Sequence, residues 1–106
     1  MNAQQRPTPL ALVTGASSGI GYQYARLLAE KGYDLLLVSN EELRIAEVAR
    51  ELRRQFGIRA DGLCRDLSLA DAADSLFEYT RQQGIEVEVL VNNAGVFFFD
   101  DLTETD

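Results

Sequence analysis

The chain has 106 residues, enough for one small domain and too few for two, and its 46% hydrophobic and 25% charged content is that of an ordinary globular protein. Acidic residues outnumber basic ones 17 to 10, and the resulting net charge of -7 argues against a nucleic-acid partner and against an anionic membrane surface. With no histidine and a single cysteine, Cys64, the sequence offers neither an internal disulfide nor the usual ligands of a zinc site; no apolar run reaches signal-peptide or transmembrane length, so a cytoplasmic protein is expected.

Pro7 and Pro9 precede a short apolar run, Leu10 to Val13, which predicts a first strand. The glycine-rich stretch TGASSGIG (Thr14 to Gly21) follows. Residues 20–31 then read as a helix, with Ile20, Tyr24, Leu27, Leu28 and Lys31 at helical spacing and Gly32 as its stop. Leu35 to Val38 is a continuous apolar run, the pattern of a strand buried on both faces. Residues 41–55 predict a second helix whose apolar side is Leu43, Ala46, Val48, Leu52 and Phe56, stopped by Gly57.

Ile58 to Cys64 reads as a third strand, weakened by Asp61 and Gly62, with Cys64 as a small buried hydrophobe. Ser68 suits an N-cap for a third helix over Leu69 to Gln83, with Asp71 in the capping-box position and Gly84 as the stop. Val87 to Val91 is the fourth strand. This β-α-β-α-β-α-β alternation with short connections predicts an α/β fold: a parallel sheet with helices on both faces.

A strand that runs through glycines into a helix builds an anion site. The backbone can turn sharply and approach a ligand, and the unpaired N–H groups of the first helical turn favour negative charge. By itself the spacing Gly15, Gly19, Gly21 fits an unliganded turn as well. The surrounding residues add to it. TGASSGIG, with LVTG ahead and Ala25, Leu28, Ala29 and Gly32 behind, resembles the short-chain dehydrogenase/reductase family. So do Asp66-Leu67 at the end of the third strand and NNAG (Asn92 to Gly95) at the end of the fourth. The resemblance runs from about residue 8 to residue 106 and matches only the N-terminal half of a family member.

This resemblance implies a Rossmann-like parallel sheet in strand order 3-2-1-4, with residues 1–106 as a single NAD(P)-binding domain, incomplete relative to the family. It implies that Gly15, Ser17, Ser18, Gly19, Ile20 and Gly21 wrap the pyrophosphate and adenine ribose, that Asp66 and Leu67 meet the adenine, and that Asn93, Ala94 and Gly95 line the ribose side near the nicotinamide. Asn92 and Thr14 would serve structure, Thr14 through a hydroxyl bond to the turn after the fourth strand. The choice between NAD and NADP turns on Ser39-Asn40, at the end of the second strand, where an acidic residue would hold a free 2′-hydroxyl and a basic one a 2′-phosphate. The pair is neutral. Glu41 and Glu42 would repel a phosphate, Arg44 would attract one if turned inward, and the balance leans to NAD.

The family's chemistry resembles a relay in which a tyrosine, its pKa lowered by a lysine four residues later, exchanges a proton with substrate beside an orienting serine. No Tyr-x-x-x-Lys pair occurs here: the residues four beyond Tyr22, Tyr24, Tyr33 and Tyr79 are Arg26, Leu28, Leu37 and Gln83, and the only lysine is Lys31. Tyr22 and Tyr24 therefore read as a helix-surface and a helix-core position, and Arg50, Arg53 and Arg54 as a solvated helix face beside Glu47 and Glu51. The chain is expected to be inactive alone. A different class of reading is a non-catalytic module that binds a nucleotide weakly or pairs through its fourth strand. That strand would be an open edge, and with Phe97, Phe98 and Phe99 it would invite a second copy or a separate C-terminal chain.

Overall fold

The computed structural model describes residues 9–66 and 71–93. Four strands, β1 (Leu10–Thr14), β2 (Asp34–Ser39), β3 (Ala60–Cys64) and β4 (Val87–Val91), alternate with three helices, α1 (Gly19–Glu30), α2 (Glu42–Phe56) and α3 (Ala72–Gln83). All strand pairs are parallel, as the alternation of elements predicts, and their order is β3-β2-β1-β4, as the family resemblance implies.

Strand alternation sorts the core into two layers. Ala11 and Val13 of β1 and Leu35 and Leu37 of β2 face α1 and α2, where they meet Ala25, Leu28, Ile45, Val48 and Leu52. Leu12, Leu36 and Val38 face the other way, onto Leu76 and Phe77 of α3. β2 is therefore buried on both faces, which accounts for its unbroken apolar run. In β4 the parity changes midway. A register shift against β1 skips Glu88, so Val87 joins the α3 layer while Val89 and Val91 join the α1–α2 layer.

The helix faces agree with expectation in part: Leu28 of α1 and Val48 and Leu52 of α2 are buried and Phe56 packs against the core, while the other expected residues are not buried. In α1 the buried residues are Gly21, Ala25, Leu28 and Ala29, whereas Ile20, Tyr24 and Leu27 are exposed. A helix carrying small residues on one stripe can lie close to the sheet, so the small stripe turns inward and the bulky one, a single position away, turns to solvent. Tyr22 packs partly against the core and Tyr24 is exposed, the reverse of the expected assignment. In α2 the buried stripe is Ile45, Val48, Ala49 and Leu52; Leu43 is 82% exposed and Ala46 is also outside the core.

Cys64 is exposed, not buried, because it ends β3, which among the described residues has a strand neighbour on one side only. α3 starts at Ala72 with Asp71 in the N-cap position and no side-chain capping bond. The expected cap Ser68 and the expected first helical residue Leu69 lie outside the described residues. Arg50, Arg53 and Arg54 are exposed as expected, and Arg53 also donates from Nη1 to the Ala60 carbonyl at 2.5 Å, tying α2 to β3.

Candidate functional site

A cleft of about 660 Å³ opens at the carboxyl ends of the strands. Each strand delivers a different piece of chain to it. From the turn after β1 come Gly15, Ser17, Ser18, Gly19 and Ile20. β2 and its turn supply Ser39, Asn40 and Glu41. Arg65 and Asp66 follow β3, and Asn93 follows β4. Strand order reverses between β1 and β4, and the crevice at such a switch point is where open parallel sheets take their ligands.

Two glycines shape the turn. A Cβ on Gly21 would overlap the Gly15 carbonyl and stand 3.0 Å from Asn93 Nδ2, so only glycine lets the first turn of α1 fold back on the strand that precedes it. Gly19 has φ +62° and a Cβ there would meet nothing within 4 Å: its backbone faces open cleft in a conformation that L side chains rarely adopt. Ser18 caps α1 without a side-chain bond and the first turn carries no acidic residue, so no acidic side chain of that turn competes with an anion for the helix N-terminus.

The cleft is braced from both sides. Thr14 Oγ1 accepts from the Asn93 N–H at 2.8 Å and lies 3.3 Å from the Val91 carbonyl and 3.2 Å from Asn92 Oδ1, within hydrogen-bond reach of both. One hydroxyl thus joins the end of β1 to the turn after β4. Across the cleft a closed ring of hydrogen bonds starts and ends on Glu41. The Glu41 N–H donates to Ser39 Oγ at 3.0 Å, Ser39 Oγ donates to Ser17 Oγ at 3.0 Å, and Ser17 Oγ donates to Glu41 Oε1 at 2.5 Å. Ser17 and Ser39 are nearly buried, and their hydroxyls are committed to this ring.

The ring continues into a polar seam between α1 and α2. Arg44 Nε donates to the Ser17 carbonyl at 3.0 Å, and its guanidinium lies over the Tyr22 ring, 5.8 Å from the centroid. Tyr22 in turn donates its hydroxyl to Glu51 at 2.6 Å. That bond, reinforced by burial, raises the Tyr22 pKa above its ordinary value, so this phenol stays neutral at physiological pH and is not an activated base.

Of the residues the sequence points to, Gly15, Ser17, Ser18, Gly19, Ile20, Ser39, Asn40, Asp66 and Asn93 converge on the cleft, and Gly21 lies beneath it. Leu67, Ala94 and Gly95, like Phe97 to Phe99, lie outside the described residues. Two lining residues were not among those singled out as binding, Glu41 and Arg65. In the sequence Glu41 stands out only as a charge that repels a 2′-phosphate, and for Arg65 its adjacency to Asp66 is the one signal available. No helix among the described residues is long and apolar enough to cross a membrane.

Comparison with known proteins agrees with this geometry. The family model for short chain dehydrogenase matches residues 9–106. A very-long-chain 3-oxoacyl-CoA reductase of Rattus norvegicus is 35% identical over 88 residues, which is 83% of this chain and 28% of the relative. The uncharacterized oxidoreductase YmfI of Bacillus subtilis is 40% identical over 97 residues, 91% of this chain and 39% of the relative. Among solved structures, L-sorbose reductase from Gluconobacter frateurii, complexed with NADPH and L-sorbose, superposes with a TM-score of 0.77 at 32% identity, covering 93% of this chain and 38% of that one. The chain thus spans well under half the length of the proteins it matches. With its family model matched almost throughout and its parallel sheet in the same topology, the chain belongs to the short-chain dehydrogenase family.

Proposed function

We propose that this chain is the NAD(P)-binding portion of a short-chain oxidoreductase whose parent reaction moves a hydride between a nicotinamide cofactor and an alcohol or carbonyl. The observation that carries the reading is the convergence of the Gly15–Gly21 turn, the end of β2 and Asp66 on one cleft at the switch point of the sheet. The residues fit such a group: Gly19 opens its backbone to the cleft, and the N-terminus of α1 carries no competing carboxylate in its first turn. The backbone N–H groups from Ser18 to Gly21 would hold the pyrophosphate, Asp66 and Leu67 the adenine, and Asn93, Ala94 and Gly95 the ribose nearer the nicotinamide. When bound, the nicotinamide supplies the hydride; the chain's own part is to orient it.

The preferred cofactor is NAD. Glu41 lines the cleft beside Ser39 and Asn40, where its carboxylate would accept from a ribose 2′-hydroxyl and repel a 2′-phosphate. Arg65, whose backbone N–H donates to the Ser39 carbonyl at 2.9 Å, is the countervailing cation, and the solved relative described above holds NADPH. The sequence contains no Tyr-x-x-x-Lys pair, which supports the reading that this chain by itself does not reduce carbonyls. The compartment proposed is the cytoplasm, in keeping with the single cysteine.

Calorimetric titration of the chain with NADH and NADPH tests this. Saturable binding on the order of high micromolar to millimolar, tighter for NADH, is expected. A folded chain that binds neither cofactor overturns the reading, and reduction of a carbonyl substrate by the purified chain overturns the inactive part.

A second reading rests on β4. Among the described residues it ends the sheet, and Val89 and Val91 stay partly exposed on the α1–α2 face. Such an edge suits a non-catalytic module that pairs with a second copy or with a separate C-terminal chain. Sedimentation that reports a monomer at high concentration removes the homodimer.

A further inference from the structure

The geometry points to Arg44 as a positioning residue for the pyrophosphate-binding turn, acting through the Ser17 carbonyl; this rests on the dinucleotide reading above. Arg44 stands in the first turn of α2, where a cation opposes the helix dipole, while Glu42 in the same turn already supplies the favourable charge. Within α2 its one favourable partner is Glu47, an exposed i,i+3 pair that stabilises a helix only slightly. Arg44 is not among the residues that line the cleft. Its side chain is instead held on three sides, by the Ser17 carbonyl at 3.0 Å, the Tyr22 ring at 5.8 Å and Glu47 at 3.6 Å.

What it holds is the middle of the glycine turn. Among the described residues no peptide bond is cis, so the C=O of Ser17 and the N–H of Ser18 point in opposite directions across one rigid plane. Arg44 draws the carbonyl towards itself, and the Ser18 N–H consequently points away from the guanidinium; Ser18 is itself one of the residues that line the cleft. The Gly15–Ala16 peptide, two units earlier in the same turn, is pinned as well, because the Ala16 N–H donates to the Val38 carbonyl at 3.2 Å. Together with the ring through Ser17 Oγ, these bonds set the plane of the peptide that presents the first donor of the anion site, before any ligand arrives. A planar guanidinium is suited to holding that plane, since Nε can bond the carbonyl while the face stacks on Tyr22, which an ammonium cannot reproduce.

The test compares the full chain with Arg44→Met and Arg44→Lys by amide NMR, titrating ADP and adenosine separately. Arg44→Met is expected to weaken ADP binding at least fivefold and to speed hydrogen exchange at Ser18 to Gly21 in the free chain. Arg44→Lys should fall between it and wild type, and adenosine affinity should stay within twofold throughout. Should Arg44→Met fail to fold, Arg44→Lys carries the same comparison. ADP affinity within twofold of wild type in the folded variants overturns the inference and leaves the cofactor reading standing, as does an equal loss for ADP and adenosine with a lowered melting temperature, the signature of a merely structural role. A folded wild-type chain that binds neither ADP nor adenosine overturns the cofactor reading and the inference together.

Discussion

β2 and β4 are both short apolar strands that flank β1, yet their surroundings differ. Leu35, Leu36, Leu37 and Val38 are at most 2% exposed, because β2 has a strand on each side and helices on both faces. In β4 Glu88 is exposed and each apolar residue stays partly so, with β1 as its only strand neighbour among the described residues. VEVLV carries one charge that LLLV lacks, but the partial exposure of its apolar residues follows from the number of neighbours. The same contrast divides the cleft: its β2 side is locked by the Glu41–Ser39–Ser17 ring, while its β4 side hangs on the Thr14 hydroxyl.

The sharpest way to break this contrast is a pair of truncations. Leu36→Ala should cost about 2–5 kcal/mol in chemical denaturation, because it leaves a cavity between β2 and α3. Val89→Ala, already partly solvated, should cost about 1 kcal/mol or less. Equal losses would mean that β4 is as well packed as β2.

Gly21→Ala comes next, at about 1–3 kcal/mol, since its methyl must displace the Gly15 carbonyl or shift α1 away from β1. Melting of the variant reads this, and an unchanged midpoint would show that the turn yields freely. Thr14→Val keeps the shape but strips the bonds that hold the turn after β4, leaving the Asn93 N–H without its acceptor; a loss of about 1–3 kcal/mol is expected. Amide exchange at Asn93 should rise with it.

The smallest effect concerns pH. The Glu51 hydrogen bond and burial raise the Tyr22 pKa above 10.0. A raised value favours the neutral phenol in the folded state, so the stabilisation is fully present below the unfolded value near 10.0 and is lost as pH rises through the folded one. The stability gap between wild type and Tyr22→Phe should be level from neutral pH to about 10 and shrink above it. A gap that widens with alkalinity would contradict the bond to Glu51.

Much of this fold is legible in the sequence. The order of strands and helices follows from unbroken apolar runs, glycine stops and helical spacing, and the glycine turn announces the end of the sheet where the cleft lies. Less legible is which face of each helix packs. In α1 two stripes one position apart share a spacing and meet at Leu28: the expected one adds Ile20, Tyr24 and Leu27, the other Gly21, Ala25 and Ala29. Hydrophobicity favours the first, and the second is buried. Only the close approach of Gly21 to Gly15 breaks the tie, and that contact requires β1 and α1 to be placed together.

By itself, then, the sequence determined the alternation of elements, the parallel sheet and the position of the glycine turn, because these depend on local periodicity and backbone freedom. Tertiary structure alone decided the rest: the small-residue face of α1, the exposure of Cys64, the skipped register at Glu88, and the convergence of Ser17, Ser39, Glu41 and Arg44. Each of these depends on which groups meet across the fold. Ser17 and Arg44 are 27 positions apart, and nothing in either segment announces the other until β1, β2 and α2 lie side by side.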